Sequence, residues 1–192
     1  HGGTEMGQGL HTKMLTICAH EFGVSKDRIR LMDTATDKVP NTSATAASSG
    51  SDLNGQAVRE ACKTLKSRLR KVASAILDVD TSHAEEITFV NNQARAPNGN
   101  TVEFSDLIQT AYNSQVSLSA TGYYATPNIF YDRDKGAGKP FHYFAYGGAV
   151  LEVEVSGFTG EYKLRRVDIL HDVGDSLVPS IDRGQVEGAF IQ

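Results

Sequence analysis

The feature that most limits what this chain can become is a long amphipathic stripe in its first half. From Asp52 onward Val58, Ala61, Cys62, Leu65, Leu69, Val72 and Ile76 recur at helical spacing, with Lys and Arg on the opposite face. Such a helix is stable only when its apolar face is covered, so other elements must supply a second layer. One is an earlier helix whose face carries Leu10, Met14, Ile17, Cys18 and Phe22 and which Gly23 ends. Alternating segments supply the rest. Ser25 to Asp33, through Arg28-Ile29-Arg30-Leu31, predicts a short half-buried strand leading into a small-residue loop, Thr34 to Ser51. Glu86 to Val90 and Thr101 to Phe104 flank Asn91-Asn92 and Asn98-Gly99-Asn100, the pattern of a hairpin or of two short strands. Ser105 is placed to cap a third helix carrying Leu107, Ile108, Ala111 and Tyr112, after which Val116 to Tyr124 alternates again. Ala149 to Val155 and Tyr162 to Leu170, joined by Gly157-Phe158-Thr159-Gly160, predict an antiparallel hairpin, and Tyr131 to Pro140 an exposed loop. The expected fold class is α+β, mixed helices and antiparallel strands, with no internal repeat.

Composition narrows the function classes. Forty per cent apolar and 22% charged residues describe an ordinary globular protein, and 192 residues suffice to bury a core. A net charge of -4 gives no electrostatic reason to expect nucleic acid or an anionic membrane surface, and no apolar run is long enough to span a bilayer. Two cysteines, Cys18 and Cys62, both read as helix interiors, suggest no disulfide framework and suit a reducing cytoplasm. His1 runs at once into a glycine-rich loop with no strand before it. Ser180 to Gln192 reads as the opening turns of a helix without a terminal cap, so an excerpt cut at both ends, residues 1–192 of something larger, is expected.

Two helix starts carry the chemical interest. Gly7-Gln8-Gly9 opens the first helix, where unpaired amides and aligned peptide dipoles favour an anion and Gln8 offers both a donor and an acceptor. Thr42 to Ser51, small and rich in hydroxyls, forms a second such start. From the residues alone, a plain glycine turn for the first and a Ser/Thr capping loop for the second remain open readings. The glycines match neither a nucleotide-triphosphate loop, lacking the Lys-Ser or Lys-Thr, nor a dinucleotide fingerprint, lacking the third glycine. His20-Glu21 lacks metalloprotease spacing, and Cys18 with His20 cannot complete a zinc site, so no side chain is assigned to a metal. Tyr123, Tyr124, Phe141, Tyr143, Phe144 and Tyr146 read as aromatic-rich strands serving core or interdomain packing.

Gly2-Gly3-Thr4-Glu5-Met6-Gly7-Gln8-Gly9, Thr45-Ala46-Ala47-Ser48 and Gly184-Gln185-Val186-Glu187-Gly188 resemble, in order, segments of the molybdenum-cofactor-binding region of xanthine dehydrogenases. The likeness extends over Val39 to Leu53, Ser117 to Thr126, Pro140 to Tyr146 and Asp172 to Gln192. It implies that Gly7 and Gln8 contact a molybdenum pterin cofactor, that Thr45, Ala46, Ala47, Ser48, Ser49, Gly50 and Ser51 wrap its pterin and phosphate, and that Gln185 reaches it too. It also implies a parent oxidoreductase that hydroxylates hypoxanthine and xanthine to urate. Iron-sulfur clusters and FAD would be bound elsewhere in that parent, along with the remainder of the molybdenum-binding region. The family's catalytic glutamate would follow Gln192, and its substrate-orienting arginine would precede His1. The resemblance therefore gives this piece no catalytic residue and no activity of its own, and Glu187 is read as solvent-facing or structurally paired. Aldehyde oxidases and other molybdenum hydroxylases share the pattern, and a non-catalytic subunit-packing module is the alternative of a different class.

Overall fold

A computed structural model describes residues 1–39, 41–46 and 48–192 and divides them into two compact units, His1–Ala125 and Thr126–Gln192. The first is built on two helices, α1 (Leu10–Phe22) and α2 (Gly50–Ile76). Their contacts run in step. A Cβ on Gly50 would meet Leu10, one on Gly55 would press on Ile17 and reach Met14, and Glu21 pairs with Arg59 at 3.0 Å and Lys66 at 2.7 Å. The helices are therefore parallel, with both N-termini at one end, and buried Gly55 allows the close crossing. Gly23, at φ 57°, terminates α1 as its spacing predicts.

Beyond α2 the chain forms a three-stranded antiparallel meander, β1 (Thr88–Val90), β2 (Gln93–Arg95) and β3 (Thr101–Glu103), followed by α3 (Phe104–Asn113). The expected pair of strands thus has a third between them. Asn91 and Asn92, at φ 51° and 62°, form the two-residue β1–β2 turn. Asn98 and Asn100 each donate a side-chain amide to the Leu77 carbonyl at 3.0 Å and so satisfy the end of α2. Leu69, Ala73, Leu77, Ile87, Ala94, Leu107 and Ala111 close the core between these elements. α3 starts one residue before Ser105, whose hydroxyl donates to Asp106 at 3.5 Å and caps nothing.

Two alternating segments end up outside any sheet. Ser25 leads into a 3-10 turn, Lys26–Arg28, and Ile29 to Asp33 forms no strand, although Ile29 and Leu31 are half-buried and Arg28 and Arg30 exposed. From Val116 to Tyr124 burial alternates strictly, yet the segment lies on α2. Arg68 donates to the carbonyls of Ser117 and Ser119, and a Cβ on Gly122 would run into the Ala57 carbonyl.

The second unit holds a short hairpin, β4 (Phe130–Asp132) with β5 (Ala137–Lys139), where an exposed loop is predicted. The long predicted hairpin is present as β6 (Gly147–Val155) and β7 (Tyr162–His171), and α4 (Pro179–Ile191) follows. One hairpin face carries Ala149, Leu151, Val153 and Val155 opposite Ile169, Val167, Leu164 and Tyr162. The other carries Glu152 opposite Arg166 and Glu154 opposite Lys163. Phe141, Tyr143, Phe144 and Tyr146 are exposed and outside strands, and Tyr123 is exposed too, so these aromatics are not core. Among the described residues no helix is long and apolar enough to cross a membrane.

Gly122→Ala is expected to cost about 1–3 kcal/mol, read from the urea midpoint of the first unit, because the new methyl meets backbone rather than a movable side chain. Gly157→Ala, in open space, serves as the neutral control. Burial pushes the Glu21 carboxyl up, but hydrogen bonding and charge from Lys66 and Arg59 outweigh it and leave the group below its ordinary value. A lowered folded-state pKa stabilises above the unfolded value and ceases to do so as pH falls through the folded one. The stability deficit of Glu21→Gln should therefore shrink below about pH 4; a deficit constant from pH 7 to pH 3 would contradict the assignment.

Candidate functional site

Both predicted helix starts lie in the first unit, and the parallel pairing of α1 and α2 brings them together. The backbone N–H of Thr4 donates to Thr45 Oγ1 at 2.8 Å. Gly3 is buried where a Cβ would press on Leu10 and Asn54, and one on Gly2 would collide with Thr42. The bare backbone at these positions lets the first loop rest on the second.

Within the first loop, Gly7 is exposed at φ 99° and a Cβ there would meet nothing within 4 Å. Glycine is required there for its conformation, and the space beside it is open. Gln8 is folded back on its own loop. Its Oε1 accepts from the Met6 N–H at 2.6 Å and its Nε2 donates to the Thr4 carbonyl at 2.8 Å. A side-chain amide has two donor hydrogens and two acceptor lone pairs, and these two bonds use one of each.

Three amides around the start of α1 are taken by Glu5, which the sequence reading does not single out. Glu5 Oε1 accepts from the N–H groups of Gly7 (3.0 Å) and Gly9 (2.9 Å), and Oε2 accepts from that of His11 (2.9 Å). Burial pushes this carboxyl up, and the three backbone donors outweigh burial and hold it below its ordinary value, with His11 adding to the effect. The available signal was an acidic side chain just ahead of a glycine-rich helix start, where negative charge complements the dipole.

In the second loop Thr45 is half-buried under its bond to Thr4, while Ala46 and Ser48 are exposed, Ser48 at φ 57°. Ala47 lies outside the described residues. The Ala46 carbonyl accepts from Ser49 Oγ at 3.0 Å, and Ser49, at the N-cap of α2, makes no side-chain cap bond. Gly50 and Ser51 form the first turn, with the Gly50 carbonyl held by Asn54 Nδ2 at 2.9 Å. Near the first loop the rings of His1 and His11 meet edge to face at 5.1 Å, and the buried Nε2 of each has no hydrogen-bond partner among the described residues. Among the same residues no three His, Cys, Asp or Glu side chains group to hold a metal ion.

Gln185 belongs to the second unit, exposed on α4. On the same helix Glu187 is exposed and paired with Arg183 at 2.7 Å. A groove of about 720 Å³ separates β7 from α4, with Leu164, Val167, Ile169, Val186, Phe190 and Ile191 on its walls.

Known proteins resemble the chain over its whole length. The family model described as molybdopterin cofactor-binding domain matches residues 1–192. Xanthine dehydrogenase/oxidase of Mus musculus is 46% identical and that of Felis catus 47% identical, each over the whole chain and 13% of the relative. Aldehyde oxidase 1 of Oryctolagus cuniculus is 43% identical over the same shares. Among solved structures, the reconstituted CO dehydrogenase from Oligotropha carboxidovorans superposes with a TM-score of 0.80 at 25% identity, over 97% of this chain and 22% of that one. The chain spans about an eighth of the length of the curated relatives it matches.

Thr45→Val keeps the shape of the side chain and deletes the hydroxyl acceptor for Thr4. A loss of about 0.5–1 kcal/mol is expected, with faster amide exchange at Thr4. Exchange unchanged from wild type would show that the two loops are not joined at this bond.

Proposed function

The chain belongs to the molybdopterin cofactor-binding domain family, and from that premise we propose that it is the cofactor-holding part of a xanthine dehydrogenase, a cytoplasmic enzyme that converts hypoxanthine and xanthine to urate. The observation that carries the site assignment is the Thr4–Thr45 bond, which joins two loops at the N-termini of parallel helices. The residues present fit a pterin with an anionic tail. Gly7 leaves open space for a flat heterocycle, Gln8 holds its amide in fixed orientation, and α2 begins without a side-chain cap. When bound, the molybdenum cofactor supplies the redox chemistry of hydroxylation. This chain's own part is to bind and orient. Gly7 and Gln8 would meet the pterin edge, and Thr45, Ala46, Ala47, Ser48, Ser49, Gly50 and Ser51 would enclose the pterin and phosphate.

On this reading the iron-sulfur clusters and FAD belong to other parts of the polypeptide, and the isolated chain is inactive because half a cradle leaves the remaining contacts to water. Aldehyde oxidase is the second reading, favoured by 43% identity, close to the values for the xanthine dehydrogenases. The test uses the full-length polypeptide, measuring molybdenum, pterin and xanthine hydroxylation with and without Gln8→Ala. Roughly tenfold lower cofactor content in the variant is expected. Full loading in Gln8→Ala would remove Gln8 from the cradle, and oxidation of aldehydes with no action on purines would replace the substrate reading.

A further inference from the structure

We infer that Glu5 is a positioning residue, the built-in anion of the first helix start, whose carboxylate sets the Met6–Gly7–Gln8 turn in the shape that meets the cofactor. The inference rests on the cofactor reading above and adds to it a residue that makes no contact with the ligand. Its basis is that both oxygens of that carboxylate are bound to backbone amides. Gly7 and Gly9, at φ 99° and 75°, curl the chain so that their amides converge, which is how backbone builds an anion-binding concavity. Here the concavity is filled from within, by three N–H donors on one side chain. The Met6 amide is taken by Gln8 Oε1, so the amides of Met6, Gly7, Gly9 and His11 all have internal acceptors. These four amides are therefore already committed to the protein's own side chains. What the carboxylate fixes is the path of residues 6–8, and with it the orientation of the Gln8 amide. Glutamine cannot replace it, since a side-chain amide has one acceptor oxygen and would turn an NH₂ group toward a backbone N–H.

The fragment lost in Glu5→Ala has the shape and charge of acetate, so acetate is the probe. In the full-length polypeptide Glu5→Ala is expected to lower molybdenum and pterin content at least about tenfold. Acetate, against chloride at equal ionic strength, should raise its melting temperature saturably and restore cofactor content, while leaving wild type unaffected. Glu5→Gln keeps the volume and should lose cofactor without responding to acetate; it carries the test if Glu5→Ala does not fold. Wild-type cofactor content in either variant overturns the inference. So does loss of cofactor in Glu5→Ala that acetate does not touch, which is the signature of a merely structural role. A wild-type polypeptide without molybdenum or pterin would instead sink the cofactor reading, and the two failures are separable because the acetate response of the melting temperature is read without cofactor.

Discussion

The parallel packing of α1 on α2 is the constraint on which the first unit depends. Helices joined by a short loop run antiparallel, whereas these are separated by residues 23–49, long enough to return the chain along the roughly 20 Å of a thirteen-residue helix. The return places two helix N-termini side by side. Like dipole ends repel, and bare amides at both ends would demand partners. The structure answers differently at each. At α1 the two oxygens of the Glu5 carboxylate supply charge and accept three backbone N–H bonds, whereas at α2 the N-cap residue Ser49 makes no side-chain cap bond among the described residues.

The opposite end explains how the arrangement stays rigid. Leu77, Ile87 and Leu107 are nearly inaccessible, and the rings of Phe22 and Phe104 stack at 5.7 Å, joining the end of α1 to α3. Asn92 donates its backbone N–H to the Gly23 carbonyl at 2.7 Å and accepts from Ser25, so the end of α1 is fastened to the meander. With the far ends fixed, the near ends keep their spacing, which a ligand-holding loop requires.

Much of this was legible in the residues, and the failures share a cause. Helical periodicity located α1, α2 and α3 because an apolar stripe is a property of the helix itself. Alternation was less informative, because it reports that every second side chain is covered and not what covers it. Around Val116 to Tyr124 it was correct about burial and silent about the neighbour, which is α2 rather than a strand. β2 escaped notice because Gln93-Ala94-Arg95 has a single apolar residue, buried Ala94. At the candidate site, glycines and Gln8 drew attention as ligand-facing groups, whereas Glu5 looked like an ordinary surface acid. Its function lies in bonds to its own backbone, which no spacing rule reveals.

The β6–β7 hairpin has a consequence for how this chain behaves in concentrated solution. Its apolar face is open, with Val155 63% and Tyr162 77% exposed. Between positions 147 and 171 three basic residues stand against four acidic ones, a net charge of -1. Colloidal repulsion comes from uncompensated charge, and this stretch contributes a quarter of the -4 that the whole sequence carries. An exposed apolar face with a single net charge beside it is weakly shielded, and strongly salting-out ions such as sulfate strengthen apolar association there.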